Sequence, residues 1–136
     1  MTDEHDIQQT ISRYHEGAST PDLEQLIATF LPDGTWEVPA FRFLCHGHDE
    51  MREVMAAVLA PIEYLVQVNA PAIIAVDGDV ATARTLVREC AKYRDEPGLV
   101  DVVGQFVDEL HRTPDGWRFA RRTFTILGRH VSAAIA

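Results

Sequence analysis

Gly104-Gln105-Phe106-Val107-Asp108-Glu109-Leu110-His111-Arg112, then Thr113-Pro114-Asp115-Gly116, then Trp117-Arg118-Phe119-Ala120-Arg121-Arg122-Thr123-Phe124 is the stretch that organises this chain. Two alternating runs flank a segment in which Pro presets φ and Gly accepts φ > 0, the chemistry of a β-hairpin turn. Pairing the two arms brings Asp108 and Arg122 within reach of each other. A charge pair on an otherwise apolar sheet face implies either a structural clamp or the polar floor of a pocket, because unpaired buried charge is costly.

Toward the N-terminus the periodicity is helical. Asp3 or Asp6 can cap a first helix to about Gly17, with Ile7, Ile11 and Tyr14 on one stripe. Thr20 as N-cap and Pro21 in the first turn start a second helix, lined by Leu23, Leu26, Ile27 and Phe30 and ended by Leu31-Pro32-Asp33-Gly34. Thr35 to Val38 reads as a short strand. A third helix, about Asp49 to Leu59, buries Met51, Val54, Met55 and Val58. The pattern then turns to strand: Glu63 to Val76, a tight turn at Asp77-Gly78-Asp79, Val80 to Tyr93, a turn at Asp95-Glu96-Pro97-Gly98, and the two arms of the hairpin, Leu99 to Arg112 and Trp117 to Leu127. Three helices followed by a long antiparallel sheet is an α+β layout. A strongly curved sheet folded around the helices makes a cone, and its inner cavity is a natural ligand site.

Composition narrows the function. A chain of 136 residues, 46% hydrophobic and 24% charged, is enough for one domain (1–136) with a real core. Its net charge of −9 disfavours nucleic acid and anionic membrane surfaces as partners. No apolar run is long enough to span a bilayer, and the acidic N-terminus lacks the pattern of a secretory signal, so a cytoplasmic protein is expected. Cys45 and Cys90 lack CxxC spacing and read as free thiols. Cys45-His46-Gly47-His48-Asp49 is compact and has no matching ligand pattern elsewhere, so no metal site is expected.

The order of these pieces resembles the NTF2-like superfamily, and more closely its SnoaL-like branch, which includes ketosteroid isomerase, scytalone dehydratase and polyketide cyclases. Arg13-Tyr14, Asp22-Leu23, Leu26, Leu31-Pro32-Asp33-Gly34-Thr35-Trp36, Gly47, Asn69, Ile74 to Ala81, Gly104 to Asp108, Arg112 and Gly116 to Arg122 carry the resemblance, over about Asp6 to Arg129. It implies a cone-shaped α+β fold. It places Tyr14 where ketosteroid isomerases put the tyrosine that donates to the dienolate oxygen. Their general base would fall at Val38 and their carboxylic acid donor near Gly104, so isomerisation by that mechanism is not expected. The dehydratase His and Asp would fall near Leu65 and Ser19, and neither serves as a base.

Alternation, anchored on that resemblance, puts Leu65, Gln67 and Asn69 on the inner face of the first long strand. It puts Arg84, Leu86, Arg88 and Cys90 on that of the next, then Gly104, Phe106 and Asp108, then Ala120, Arg122 and Phe124. The candidate catalytic residues are Tyr14, Asp108, Arg88 and Arg122. Tyr14 and Arg88 would stabilise an enolate, and Asp108, its pKa depressed by Arg122, would be the base. Trp36, Val38, Leu65, Gln67, Asn69, Leu86, Phe106 and Phe124 would bind the substrate. The expected function is a cofactor-independent lyase, isomerase or cyclase acting on a small hydrophobic molecule with a carbonyl. One alternative is a non-catalytic accessory subunit similar to the β subunits of ring-hydroxylating dioxygenases. Another is an epoxide hydrolase using Arg88, Asp101 and Asp108. A homodimer is expected through the outer sheet face, where Ala81, Ala83 and Thr85 would lie.

Overall fold

The computed structural model describes residues 2–132. Among them are helices α1 (Asp3–Ser19), α2 (Leu23–Ala28) and α3 (His48–Leu59), and strands β1 (Phe30–Val38), β2 (Phe43–His46), β3 (Ile62–Asn69), β4 (Ile73–Asp77), β5 (Val80–Tyr93), β6 (Leu99–Thr113) and β7 (Gly116–Val131).

The cap of α1 is Thr2, whose hydroxyl accepts the His5 N–H, rather than Asp3 or Asp6. That leaves the Asp3 carboxylate free to accept two N–H groups of Arg112 at 2.8 and 3.0 Å and the Trp117 indole N–H at 3.2 Å. The start of the helix is thereby clamped to the terminal hairpin. Ile7, Ile11, Tyr14 and Ala18 form the buried stripe, with Thr10 and His15 beside them. In α2 the cap is Asp22, not Thr20. The helix stops at Ala28, earlier than its apolar spacing predicts. The Phe119 N–H of β7 donates to the Thr29 carbonyl, so the sheet captures the chain and Phe30 opens β1 instead of closing α2.

The sheet runs β2-β1-β7-β6-β5-β3, with β4 also on β5. It is mixed rather than wholly antiparallel, because β1 runs parallel to β7. The single strand expected over Glu63 to Val76 is two. Pro71, which has no N–H to give a ladder, lies between β3 and β4. β3 pairs with the Val87–Tyr93 part of β5 and β4 with its Val80–Arg84 part. The turn joining β6 and β7 forms as its residues predict, with Thr113 opposite Gly116 and Gly116 at φ 109°.

Two features of parity decide which side chains face the helices. In β7, Glu109 pairs with Arg121 and Leu110 with Phe119, so Ala120 is an extra residue. This bulge lets Trp117 and Phe119 on one side of it, and Arg122 and Phe124 on the other, all turn inward. In β5 the inward set is Ala81, Ala83, Thr85, Val87, Glu89 and Ala91, the opposite of the expected register. Arg84, Leu86 and Arg88 face outward and are exposed. Ala81, Ala83 and Thr85 are buried and cannot form an outer interface. Among the described residues, no helix is long and apolar enough to cross a membrane.

Candidate active site

The curved inner face, α1 and α3 enclose a cavity of about 610 Å³, within the range of small-molecule sites. Trp36, Val38, Leu65, Phe106 and Phe124 form its apolar wall, and Met55, Val58 and Leu59 of α3 close it from above. Phe43 stacks on Trp36 with ring centroids 5.9 Å apart. Exposed Phe41, Glu53, Ala57 and Pro61 mark the mouth. Inside this lining are the polar groups of Tyr14, Gln67, Glu89 and Tyr93; no Lys or Arg is part of it.

Tyr14 is placed by the α1 stripe. Its oxygen accepts the Trp36 indole N–H at 3.0 Å, which leaves the phenol proton free to donate. Burial pushes its pKa up to about 12 against the pull of Arg122, so the group stays a neutral donor. Glu89 projects from β5 toward the cavity because it shares parity with Val87 and Ala91. Burial raises its carboxyl above the usual range, partly offset by the Gln67 amide, which donates to it at 3.0 Å. Gln67 in turn accepts at its Oε1 from His15 Nδ1 at 2.7 Å. His15 is pushed down to about 3, first by burial and then by Arg122, so its ring is neutral.

Arg122 and Asp108 lie deeper. They are cross-strand partners with no exposed side-chain surface, and Arg122 Nε donates to Asp108 Oδ1 at 3.0 Å. The guanidinium carbon sits 4.2, 3.9 and 4.5 Å from the ring centroids of Tyr14, Phe106 and Phe119. A guanidinium against three aromatic faces is held by cation–π attraction as well as by its carboxylate. Burial drives the Asp108 carboxyl up, against the pull of Arg122.

Of the residues singled out from the sequence, Tyr14, Trp36, Val38, Leu65, Gln67, Phe106 and Phe124 lie on the cavity wall. Asp108 and Arg122 do not reach it. They occupy the layer behind Tyr14 and Phe106, and the expected depression of the Asp108 pKa is reversed by burial. Arg88 and Leu86 are on the outer face, where Arg88 Nε donates to Asp101 at 3.0 Å. Arg88 therefore cannot hold an enolate in the cavity. The Arg88, Asp101 and Asp108 set expected for epoxide hydrolysis is split between the two faces of the sheet. Asn69 donates to the Ala70 carbonyl and is not part of the cavity lining. His46 bonds Thr35, and His48 bonds the Phe30 carbonyl. Among the described residues, no group of three or more His, Cys, Asp or Glu side chains gathers to hold a metal ion.

Two residues escaped the sequence reading. Glu89 was hidden by the inverted register of β5. Its signal is a charged residue interrupting the small and apolar odd-numbered set from Ala81 to Ala91. His15 follows Tyr14 and lies four residues after Ile11, which puts it on the buried stripe of α1.

A family model described as a SnoaL-like domain matches residues 1–123. An uncharacterized protein of Mycobacterium tuberculosis is 25% identical over 126 residues, covering 92% of this chain and 86% of its own. An NTF2-like protein with a cystatin-like fold from Novosphingobium aromaticivorans superposes with a TM-score of 0.77 at 27% identity, over 92% of this chain and 82% of that one. The LinA-type3 hexachlorocyclohexane dehydrochlorinase of Novosphingobium barchaimii superposes with a TM-score of 0.86 at 15% identity, over 96% and 90% of the two chains. The last likeness is one of fold.

Proposed function

The chain belongs to the SnoaL-like domain family, and on that footing we propose that it is a cofactor-independent lyase, isomerase or cyclase acting on a small, uncharged, hydrophobic carbonyl compound. The observation that carries this reading is a buried carboxylate, Glu89, and a neutral phenol, Tyr14, lining one apolar cavity. In the proposed reaction, the Glu89 carboxylate takes a proton from the carbon next to the carbonyl. The Tyr14 hydroxyl donates to the oxygen as it gains enolate charge. From that enolate, proton return at another carbon gives isomerisation, departure of a β leaving group gives elimination, and attack by the enolate carbon gives cyclisation. A carboxyl raised by burial is suited to a base working near neutral pH, and a preorganised donor is strongest in such a dry setting. The lack of any lining Lys or Arg disfavours carboxylate or phosphate substrates, which would meet Glu89 without a counter-charge. The dehydrochlorinase of the same fold is named for an elimination.

Exchange of α-protons in D2O, followed by NMR over a panel of hydrophobic ketones and hydroxy-ketones, tests this directly. The wild type should exchange at least one member. Glu89→Gln should abolish exchange, and Tyr14→Phe should slow it by about 100-fold. A ligand that binds in the cavity without exchanging would move the protein to the accessory or binding role.

The outer sheet face carries exposed Val66, Val68, Leu86, Val103 and Val107. A second copy of the chain is the proposed occupant, since apolar patches of this kind mark association surfaces. Sedimentation of the wild type beside Leu86→Glu tests it: a dimer converted to monomer supports it, and a monomeric wild type removes it.

A further inference from the structure

Five side chains are joined between the buried ion pair and the cavity. Arg122 Nε donates to Asp108 Oδ1, Arg122 Nη2 lies 3.5 Å from His15 Nε2, His15 Nδ1 lies 2.7 Å from Gln67 Oε1, and Gln67 Nε2 lies 3.0 Å from Glu89 Oε1. Direction along this chain is not free. A guanidinium has donors only, so the His15 nitrogen facing it must carry the lone pair. A neutral imidazole with its lone pair on Nε2 has its proton on Nδ1, and that proton must go to an acceptor. The acceptor is the Gln67 carbonyl oxygen. Fixing the oxygen of a planar amide on one side fixes its NH2 on the other, against Glu89. Running the chain backwards would set a His15 Nε2–H against an Arg122 N–H, two donors with no acceptor between them.

We infer that Arg122 and His15 are positioning residues for Glu89: acting through the tautomer of His15, they hold the Gln67 amide with its N–H groups toward the cavity carboxylate. The proposal rests on the reading of Glu89 as the reactive base, yet it makes a claim about hydrogen positions that holds whatever the reaction is. Its chemical consequence is that Glu89 always faces a donor, and so is kept as a proton acceptor despite burial. Without that control the amide can turn its oxygen to Glu89, an arrangement that only the protonated acid satisfies. The other ionisable groups near Glu89 are the phenols of Tyr14 on α1 and Tyr93 on β5. Both stay neutral and neither can replace Gln67 in setting this direction. His15 faces Arg122, with Asp108 behind it.

Long-range 1H–15N correlation spectra of the wild type read which nitrogen of His15 carries the proton. A neutral ring with Nδ1–H at pH 7 supports the chain, and its depressed pKa predicts that this form persists well into acid. An Nε2–H tautomer, or an imidazolium at pH 7, overturns it. His15→Phe then breaks the link while keeping a ring of similar size. The titration of Glu89, followed by its side-chain 13C carboxyl shift, should move up by about one to two units when the charged-acceptor hydrogen bond is lost. A His15→Phe protein that is less stable but titrates Glu89 as the wild type does would show a purely structural histidine and refute the proposal. Neither readout needs turnover. The chain can therefore stand while the proton-exchange assay fails, or fall while that assay succeeds.

Discussion

Replacing Arg122 by Met would remove the charge while keeping a long side chain among the rings of Tyr14, Phe106 and Phe119. Asp108 would then be a carboxylate with no exposed surface and no counter-ion. Leaving one half of a buried ion pair costs about 3–5 kcal/mol. For a chain of 136 residues, an unfolding entropy of about 2.1 cal/mol/K per residue sums to about 0.29 kcal/mol/K, so the midpoint should fall by about 10–17 °C. The double variant Asp108→Leu with Arg122→Met removes both charges and should recover most of that loss, because a well-packed apolar pair does not incur the desolvation penalty. The cost also carries a pH signature. Without Arg122 the folded-state pKa of Asp108 rises further above its unfolded value. The penalty must then be small at low pH, where the carboxyl is protonated, and grow as pH rises toward that folded pKa. Urea unfolding at pH 5 and pH 8 measures both effects. The reasoning is refuted if the single variant loses less than about 1 kcal/mol, or if the double variant is no more stable than the single one.

Three further outcomes are expected. A Cβ added at Gly104 would stand 2.5 Å from the Phe124 ring and 2.7 Å from the Thr125 carbonyl. Gly104→Ala should therefore push Phe124 into the cavity, lowering both stability and ligand affinity, as thermal unfolding and calorimetric titration would record. His15 has a folded pKa of about 3 against 6.5 in the unfolded chain. Its contribution to stability should be complete above pH 6.5 and be lost as pH falls toward 3. His15→Phe should flatten that part of the stability–pH curve. Arg88→Ala should leave ligand affinity unchanged, because its exposed pair with Asp101 lies outside the cavity. Such exposed pairs contribute little to stability, so unfolding curves should barely move; a lost ligand site would contradict the observed register.

What could be read in advance was what local chemistry dictates. Pro114, Asp115 and Gly116 specify their turn without outside help, and the alternation beside them is strong, so the hairpin follows; its regular register would set Asp108 opposite Arg121, and only the bulge at Ala120 brings Arg122 to that place. The α1 stripe is equally plain. The failures occur where tertiary pairing decides. Phe30 continues the apolar spacing of α2, and only the parallel partner β7 draws it into a strand. The inward positions of β5 are mostly Ala, Thr and Val, too weakly apolar to outweigh Leu86, a large apolar residue that is half exposed. A single step of parity there decides whether Arg88 or Glu89 is the charged group that faces the pocket, and the pairing of β5 with β3 and β6 turns Glu89 inward. His15 was invisible for a different reason: its role depends on Arg122 and Gln67, which are 107 and 52 residues away in the chain.

The extra residue at Ala120 bears on how such a chain can change length. Its side chain contributes little, and many substitutions there should be tolerated. Its loss should be tolerated too. Deleting it would merge the two registers into one regular ladder, with Phe119, Arg122 and Phe124 still turned inward opposite Leu110, Asp108 and Phe106. One residue lost a little farther on, at Thr123, should instead turn Phe124 away from the cavity. The strand can drop a letter at this one point and keep its meaning, and nowhere beside it.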